Sequence, residues 1–332
     1  MNTSLYSESF HGNEALEDYS FLVTGGAGFI GSHIVEYLMR HDAGKVRVLD
    51  NLLTGNIENI KPFLNHPNFE FIEGDINDLT TCQKACKNID FLSHQAALGS
   101  VPRSVKDPAR TNLINVNGFL NMMVAAKDNN IRKVVYASSS SVYGDEKTLP
   151  KVEHRVGIPL SPYAVTKKCN ELYAKVFSLN YGMKIIGLRY FNVFGPRQDP
   201  NGPYAAVIPI FIDRSYKNEA VYIDGDGLQT RDFTFVANAV QANIRSLFTS
   251  NEDAFGEVYN IAYGERFSVL DMYKTICEYL ETPLHAVHRE SRQGDIRDSL
   301  ADIGKAEEKL LYRPKFSFSE GIQHTIPFYK PH

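Results

Sequence analysis

Tyr163 and Lys167 stand four residues apart, the spacing that sets two side chains on one face of a helix, one turn apart. A free phenol ionises at about pH 10 and is no base at neutral pH. A neighbouring ammonium favours the phenolate, so the pair predicts a general base for an alcohol or sugar hydroxyl. Upstream, Ser138-Ser139-Ser140-Ser141 closes a predicted strand and offers a hydroxyl to bond the reacting oxygen. Tyr-x-x-x-Lys alone more often marks a solvated helix face. The serine run, and a Gly-rich turn near the start of the chain, give it weight here.

That turn is Thr24-Gly25-Gly26-Ala27-Gly28-Phe29-Ile30-Gly31. Gly26, Gly28 and Gly31 satisfy G-x-G-x-x-G; Gly25, Gly28 and Gly31 satisfy G-x-x-G-x-x-G. Either spacing lets the backbone approach a pyrophosphate while a helix N-terminus turns its free N–H groups toward the charge. Asp50 ends the second predicted strand, where an acid binds the adenine ribose hydroxyls and repels a 2′-phosphate, so NAD is expected over NADP. Asp75 and Ile76 end the third strand and are expected at the adenine, the competing reading of Asp75 being a loop acid that caps residues 77–79. Phe29, Ile30, Asn51 and Ala96, with Tyr163 and Lys167, complete the expected cofactor contacts.

The elements that must position these groups alternate. Strands are predicted at 21–24, 46–50, 69–73, 89–94, 133–138 and 184–189, with helices at 30–40, 79–87, 112–129 and 162–181. Such alternation implies a parallel sheet covered on both faces. After residue 192 Pro and Gly cluster and the elements shorten. The expected architecture is α/β: a Rossmann-type doubly wound parallel sheet with a smaller C-terminal α/β substrate lobe. Residues 1–18 form an N-terminal extension, helical or mobile, 19–191 the NAD-binding domain, and 192–332 most of the substrate lobe, with segments able to cross between the two.

The bulk properties exclude several classes. The 332 residues carry a formal net charge of −4, which gives no footing for nucleic acid. At 43% apolar and 22% charged the composition is that of a globular protein. No apolar run approaches the roughly 20 residues of a membrane span, and the polar, acidic start is unlike a signal peptide, so a cytoplasmic enzyme is expected. Cys82, Cys86, Cys169 and Cys277 match neither a disulfide framework nor a zinc spacing, and no metal is expected.

The Gly-rich signature, Tyr136-Ala-Ser-Ser-Ser-Ser-Val-Tyr-Gly-Asp145 and Ser161-Pro-Tyr-Ala-Val-Thr-Lys167 resemble the extended short-chain dehydrogenases acting on nucleotide sugars. The resemblance runs on through Leu188-Arg-Tyr-Phe-Asn-Val-Phe-Gly-Pro-Arg197, Asp224-Gly-Asp-Gly-Leu-Gln-Thr-Arg-Asp232 and the segment 292–302, covering about residues 19–312. The stretches 94–104 and 198–209 are similar to the bacterial UDP-N-acetylglucosamine 4-epimerases of surface-polysaccharide pathways. This resemblance implies Ser139 as the triad serine, with Ser140 and Ser141 as substrate contacts, although four serines in a row leave the register open. Dehydratases of the family carry an Asp-Glu pair at the two positions after the triad residue; serines stand there here, which argues for epimerisation.

The resemblance also assigns Asn192 to the diphosphate, Tyr222 and Ile223 to the uracil, Arg231 and Arg292 to the phosphates and Asp295 to the uridine ribose. Arginine forks suit phosphate oxygens. Ser100, Arg103, Tyr204 and Val207 would line the sugar side. Ser299 occupies a position where a Tyr in related epimerases accompanies exclusion of N-acetylated sugars, so a UDP-N-acetylhexosamine substrate is expected. It precedes a helix whose expected N-cap is Asp302. The implied reaction interconverts UDP-GlcNAc and UDP-GalNAc through a 4-keto sugar. Alternatives are an epimerase preferring UDP-glucose or the uronate UDP-GlcNAcA, and a non-catalytic NAD-binding sensor. A homodimer through the helices near 112–129 and 162–181 is expected from the family, with Phe119, Leu120, Met123 and Val124 free to face either a partner or the sheet.

Overall fold

Seven parallel strands form the central sheet of the computed structural model, which describes residues 5–201, 206–290 and 297–330. In chain order the strands are β1 (Ser20–Thr24), β2 (Lys45–Asp50), β3 (Phe69–Glu73), β4 (Phe91–His94), β5 (Lys133–Ser139), β6 (Ile185–Tyr190), β7 (Val193–Phe194), β8 (Val221–Asp224), β9 (Thr230–Arg231), β10 (Thr234–Phe235), β11 (Glu257–Ile261), β12 (Phe267–Ser268) and β13 (Ala286–Arg289). The sheet order is β11-β6-β5-β4-β1-β2-β3, reversing direction at β1/β4. Short pairs β10-β7, β12-β9 and β13-β8 lie outside it. A strand order that reverses leaves a crevice at the carboxyl ends of the strands. Thr24 of β1 lies there between Leu49 and His94.

Helices α1 (Phe29–Arg40), α2 (Leu79–Cys86), α3 (Val101–Lys106), α4 (Pro108–Asn112), α5 (Gly118–Asp128) and α6 (Pro162–Tyr181) connect the first six strands, followed by α7 (Val207–Tyr216), α8 (Val236–Phe248), α9 (Val269–Leu280), α10 (Gly304–Leu310) and α11 (Phe318–Thr325). Strands β2, β5 and β6 are buried along most of their length, as strands covered on both faces must be. One face packs Val23, Val48, Val135 and Ile186 against α1 and α8; the other packs Leu22, Leu92, Val134 and Ile185 against α2 and α5.

Three features depart from the sequence expectations. The seventh strand, β11, comes from far down the chain and pairs with β6 in parallel register, Tyr259 opposite Leu188. The helix expected over 112–129 is broken by a π-helical stretch, Leu113–Asn117, which sets Asn115 into the interior, where its side chain bonds both backbone groups of Leu98. The helix expected behind an Asp302 N-cap starts at Gly304: Ile303 is the N-cap, and Asp302 accepts the Gly304 N–H at 2.8 Å from one residue further back. Within the fifth helix, Phe119 and Met123 take the sheet-facing role, fully buried, and Leu120 and Val124 are partly buried beside them.

Candidate active site

The crevice at the strand ends is a cavity of about 440 Å³. On its cofactor side, β1 runs into the Gly-rich turn and α1 leaves it. Gly25 has φ +66°, and a Cβ there would lie 2.7 Å from the Ala96 nitrogen. A Cβ on Gly31 would lie 2.1 Å from the Gly25 carbonyl oxygen. Only glycine closes the turn this tightly onto the helix. Gly25, Gly28, Phe29, Ile30 and Gly31 all face the cavity.

Asp50 lines the same wall at the end of β2. It accepts the N–H groups of Ala27 at 3.0 Å and Leu52 at 2.9 Å, and burial raises its carboxyl above the usual range. Asn51, Asp75, Ile76 and Ala96 also face the cavity. Asp75 performs the local role as well: it accepts the backbone and side-chain N–H groups of Asn77, at 2.8 and 2.9 Å, and the Asn51 amide at 2.9 Å. The Ala96 N–H donates to Thr24 Oγ1, which pairs with Nδ1 of the buried His94; burial and the Lys167 charge lower that imidazole to about 3. This wall fits a dinucleotide: glycines where a backbone must come close, a helix N-terminus, and a carboxylate at the end of the neighbouring strand.

The catalytic wall is built by β5 and α6. Ser139 ends β5, and its hydroxyl oxygen accepts the Ser141 N–H at 3.1 Å, capping the tight turn that follows. Ser161 caps α6 by accepting the Ala164 N–H at 3.1 Å, and Pro162 occupies the first turn. That start fixes Tyr163 at the mouth of the helix and Lys167 one turn in. Ser139, Tyr163 and Lys167 all line the cavity, with the Ser139 hydroxyl as the polar neighbour that lowers the Tyr163 phenol.

The electrostatics differ from the sequence expectation. Burial raises the Tyr163 phenol above its ordinary value, and the Ser139 hydroxyl only partly offsets this. The Lys167 ammonium lies 5.9 Å from the phenol ring centre and donates to the Ala137 carbonyl at 2.7 Å. Burial lowers Lys167 itself to about 8. Protein groups alone therefore do not depress the phenol.

Residues not singled out in the sequence hold this wall together. Glu171, one turn beyond Lys167, accepts Arg189 Nε at 2.7 Å and Nη2 at 2.9 Å, and Ser138 at 2.8 Å. Helix α6 is thus locked to β5 and β6 by a buried, bidentate ion pair. Removing one partner of such a pair costs about 3–5 kcal/mol. Tyr190, Gln95 and Gln198 also face the cavity. The last position of β6 and the run after His94 are the signals that could have found Tyr190 and Gln95.

The substrate side is assembled from distant segments. Asn192 (φ +34°) reaches the cavity and donates to the Asp232 carbonyl at 3.0 Å. The fully buried Asp232 carboxylate accepts the N–H groups of Tyr263, Gly264 and Ala301 at 3.1–3.3 Å, and burial raises its carboxyl to about 7. Beside it, the Ser299 N–H donates to the Thr230 carbonyl at 3.1 Å, which brings Ser299 next to Arg231. Arg231 donates to the carbonyls of Thr230 and Arg297.

Of the expected substrate contacts, Asn192 lines the cavity; Arg231 and Ser299, like Ser100, Arg103, Ser140, Ser141, Val207, Tyr222 and Ile223, lie outside its lining. Ser100 caps α3 with φ +96° and accepts the Arg103 N–H at 3.3 Å. Val207 opens α7. Ser140 and Ser141 form the turn after Ser139, and the Ser141 hydroxyl oxygen is buried with no hydrogen-bond partner among the described residues. Tyr222 and Ile223 point to opposite faces of β8. The Tyr222 ring is exposed under the Arg289 guanidinium at 3.7 Å, whereas the Ile223 side chain is in the core. Ile223 can therefore meet a base only through its backbone. Tyr204, Arg292 and Asp295 lie outside the described residues.

Cys82 and Cys86 are buried in α2, their thiols pushed up to about 12, and no group of metal-ligating side chains is gathered among the described residues. Among those residues no helix is long and apolar enough to cross a membrane.

A parallel sheet with a reversed order, a glycine turn opening α1, and a Ser–Tyr–Lys wall facing it define an NAD-using enzyme of the extended short-chain dehydrogenase/reductase class. The chain belongs to the NAD dependent epimerase/dehydratase family, whose profile matches residues 21–262. A UDP-glucose 4-epimerase of Mycolicibacterium smegmatis is 36% identical over 93% of this chain and 98% of its own. A solved UDP-N-acetylglucosamine 4-epimerase of Methanobrevibacter ruminantium, in complex with UDP-N-acetylmuramic acid, is 42% identical, covers 94% of this chain and 98% of its own, and superposes with a TM-score of 0.88. A UDP-glucuronic acid 4-epimerase of Bacillus cereus, in complex with UDP-glucuronic acid and NAD, is 33% identical over 94% and 99%, with a TM-score of 0.87.

Proposed function

We propose that this protein is a UDP-sugar 4-epimerase that interconverts UDP-GlcNAc and UDP-GalNAc. The observation that carries the reading is the Ser139–Tyr163–Lys167 wall facing the dinucleotide turn, followed by Ser140 and Ser141 where elimination chemistry would call for acids. When bound, NAD supplies a hydride acceptor and, for the return half-reaction, the donor, and its nicotinamide charge adds the lowering of the Tyr163 phenol that Lys167 alone does not provide. Tyr163 takes the proton of the sugar C4 hydroxyl as general base and returns it to the C4 oxygen in the second half-reaction. Ser139 bonds the reacting oxygen, and Lys167 supplies positive charge behind the phenol. Asn192, Arg231 and Arg292 hold the diphosphate, and Asp295 the uridine ribose, while the 4-keto sugar turns over. Ser299, a small residue where related epimerases that exclude N-acetylated sugars carry Tyr, leaves room for an acetamido group.

The test is proton NMR of the purified protein with UDP-GlcNAc and no added cofactor. A UDP-GalNAc anomeric signal supports both the reaction and retained NAD. No signal, with or without added NAD, overturns the N-acetylhexosamine assignment; turnover of UDP-glucose or UDP-GlcNAcA instead would place the enzyme with those substrates, and cofactor binding without any turnover would leave a sensor.

The working unit we propose is a homodimer. Val165, Leu172, Val176 and Leu179 are exposed along one stripe of α6, Leu179 at 72%, with Leu113 nearby at 48%. Their heptad-like spacing suits a helix partner. Leu172→Glu should convert a dimer to monomer in sedimentation velocity; an unchanged sedimentation coefficient would count against this face.

A further inference from the structure

The extension before β1 is built into the molecule. Tyr6, Phe10 and Leu16 are fully buried. The segment lies along one stripe made by His33 and Tyr37 of α1 and its C-cap His41, at successive spacings of four. The Phe10 ring stacks on Tyr37 at 5.2 Å while its N–H donates to the Tyr37 hydroxyl at 2.7 Å, and His41 Nε2 pairs with the Tyr6 carbonyl at 2.9 Å.

His33 passes this contact through the helix. Its Nε2 lies 3.0 Å from the Pro196 carbonyl oxygen and its Nδ1 2.7 Å from the Tyr6 hydroxyl. A carbonyl can only accept, so Nε2 carries the proton. Burial lowers the ring to about 3, so it is neutral at pH 7 and Nδ1 must accept from Tyr6. The Tyr6 hydroxyl thus fixes the tautomer that holds Pro196. The same loop is tied at other points. Arg197, with φ +69°, reaches back to Ser32 and pairs with Glu36 of α1, and the Tyr329 hydroxyl donates to the carbonyls of Gly195 and Gln198. At the loop's end, Gln198 faces the cavity, donates to the Val193 carbonyl at 3.2 Å, and keeps a buried amide oxygen with no partner among the described residues.

We propose that Tyr6 is a positioning residue for the reaction, acting through His33 to hold the 195–198 loop so that Gln198 presents its amide oxygen to the ligand. The strap thereby links the outer face of the cofactor helix to the substrate side of the site. For its catalytic readout this rests on the epimerase reading above.

The experiment compares the NAD-loaded wild type with Tyr6→Phe, His33→Leu and His33→Gln. One hydrogen bond of this kind is worth roughly a three- to tenfold effect. Tyr6→Phe and His33→Leu should raise KM for UDP-GlcNAc by about that factor at constant kcat and NAD content. Deuterium exchange at residues 193–198 should quicken in both. His33→Gln can still donate to Pro196 and accept from Tyr6, and should restore the wild-type values. In a Gln198→Leu background, Tyr6→Phe should add no further loss. A lower melting temperature with unchanged exchange at 193–198, faster exchange with unchanged KM, or fully additive KM effects would overturn the proposal. If the wild type turns over no UDP-sugar, the epimerase reading fails and the exchange data alone decide the coupling.

Discussion

The two walls of the cavity are built by different logic. The cofactor wall is local: a strand, a glycine turn and a helix within residues 20–40, with the Asp50 carboxylate held by the Ala27 N–H of that same turn. On the substrate side, the buried Asp232 carboxylate accepts the N–H groups of Tyr263, Gly264 and Ala301, and its backbone carbonyl accepts the Asn192 amide. A local wall takes its shape from short-range sterics. The stapled wall depends on one polar hub, so a single change there should be felt in the substrate and not in the cofactor.

The largest expected effect sharpens the line between them. Tyr163→Phe removes the base and should lower turnover by on the order of 10²–10⁴, while released-cofactor absorbance shows NAD still bound. Near-wild-type turnover would remove Tyr163 from the chemistry. Next, Gly31→Ala drives a Cβ into the Gly25 carbonyl. It should release NAD on purification and lower unfolding stability by about 1–3 kcal/mol. Retained cofactor there would show that the turn can give way.

On the other wall, Asp232→Asn puts an amide N–H against backbone N–H donors. KM for the sugar nucleotide should rise roughly tenfold, with NAD content unchanged; an equal loss of NAD would break the comparison. The carboxyl titrates at about 7 in the fold, against about 3.9 in an unfolded chain. The folded form therefore holds the proton more tightly, and this contribution to stability is full below about pH 4 and lost as pH rises to about 7. Urea melts across that window should show the wild type losing stability relative to Asp232→Asn. Ser299→Tyr should shift preference from UDP-GlcNAc toward UDP-glucose by about 10–100-fold in relative kcat/KM. Unchanged selectivity would release Ser299 from that role.

Legibility in the sequence follows the same division. The Gly-rich turn, Asp50 and the Tyr163–Lys167 spacing were readable because each is a contiguous pattern with one steric or helical solution. The first six strands were readable from short β-branched runs. Strand β11 was not: Glu257-Val-Tyr-Asn-Ile261 is a short mixed stretch, and only the open edge of β6 gives it a place. Nor was the side of β8 that Ile223 takes, because which face of that strand meets the core is set by packing. The Tyr163 phenol was expected to be lowered by a neighbour, but burial, a property of the whole fold, dominates.

The sequence by itself determined the glycine turn, the acid that follows it, the Tyr–Lys pair on one helix face and the alternating frame that carries them, because these rest on backbone sterics and helical or strand periodicity. Only the tertiary structure decided the Glu171–Arg189 lock, the Asp232 hub and the burial of Tyr6 against α1. Each joins groups 18 to 69 residues apart, and a buried polar group is satisfied by whatever partner the packing brings to it, which no local pattern records.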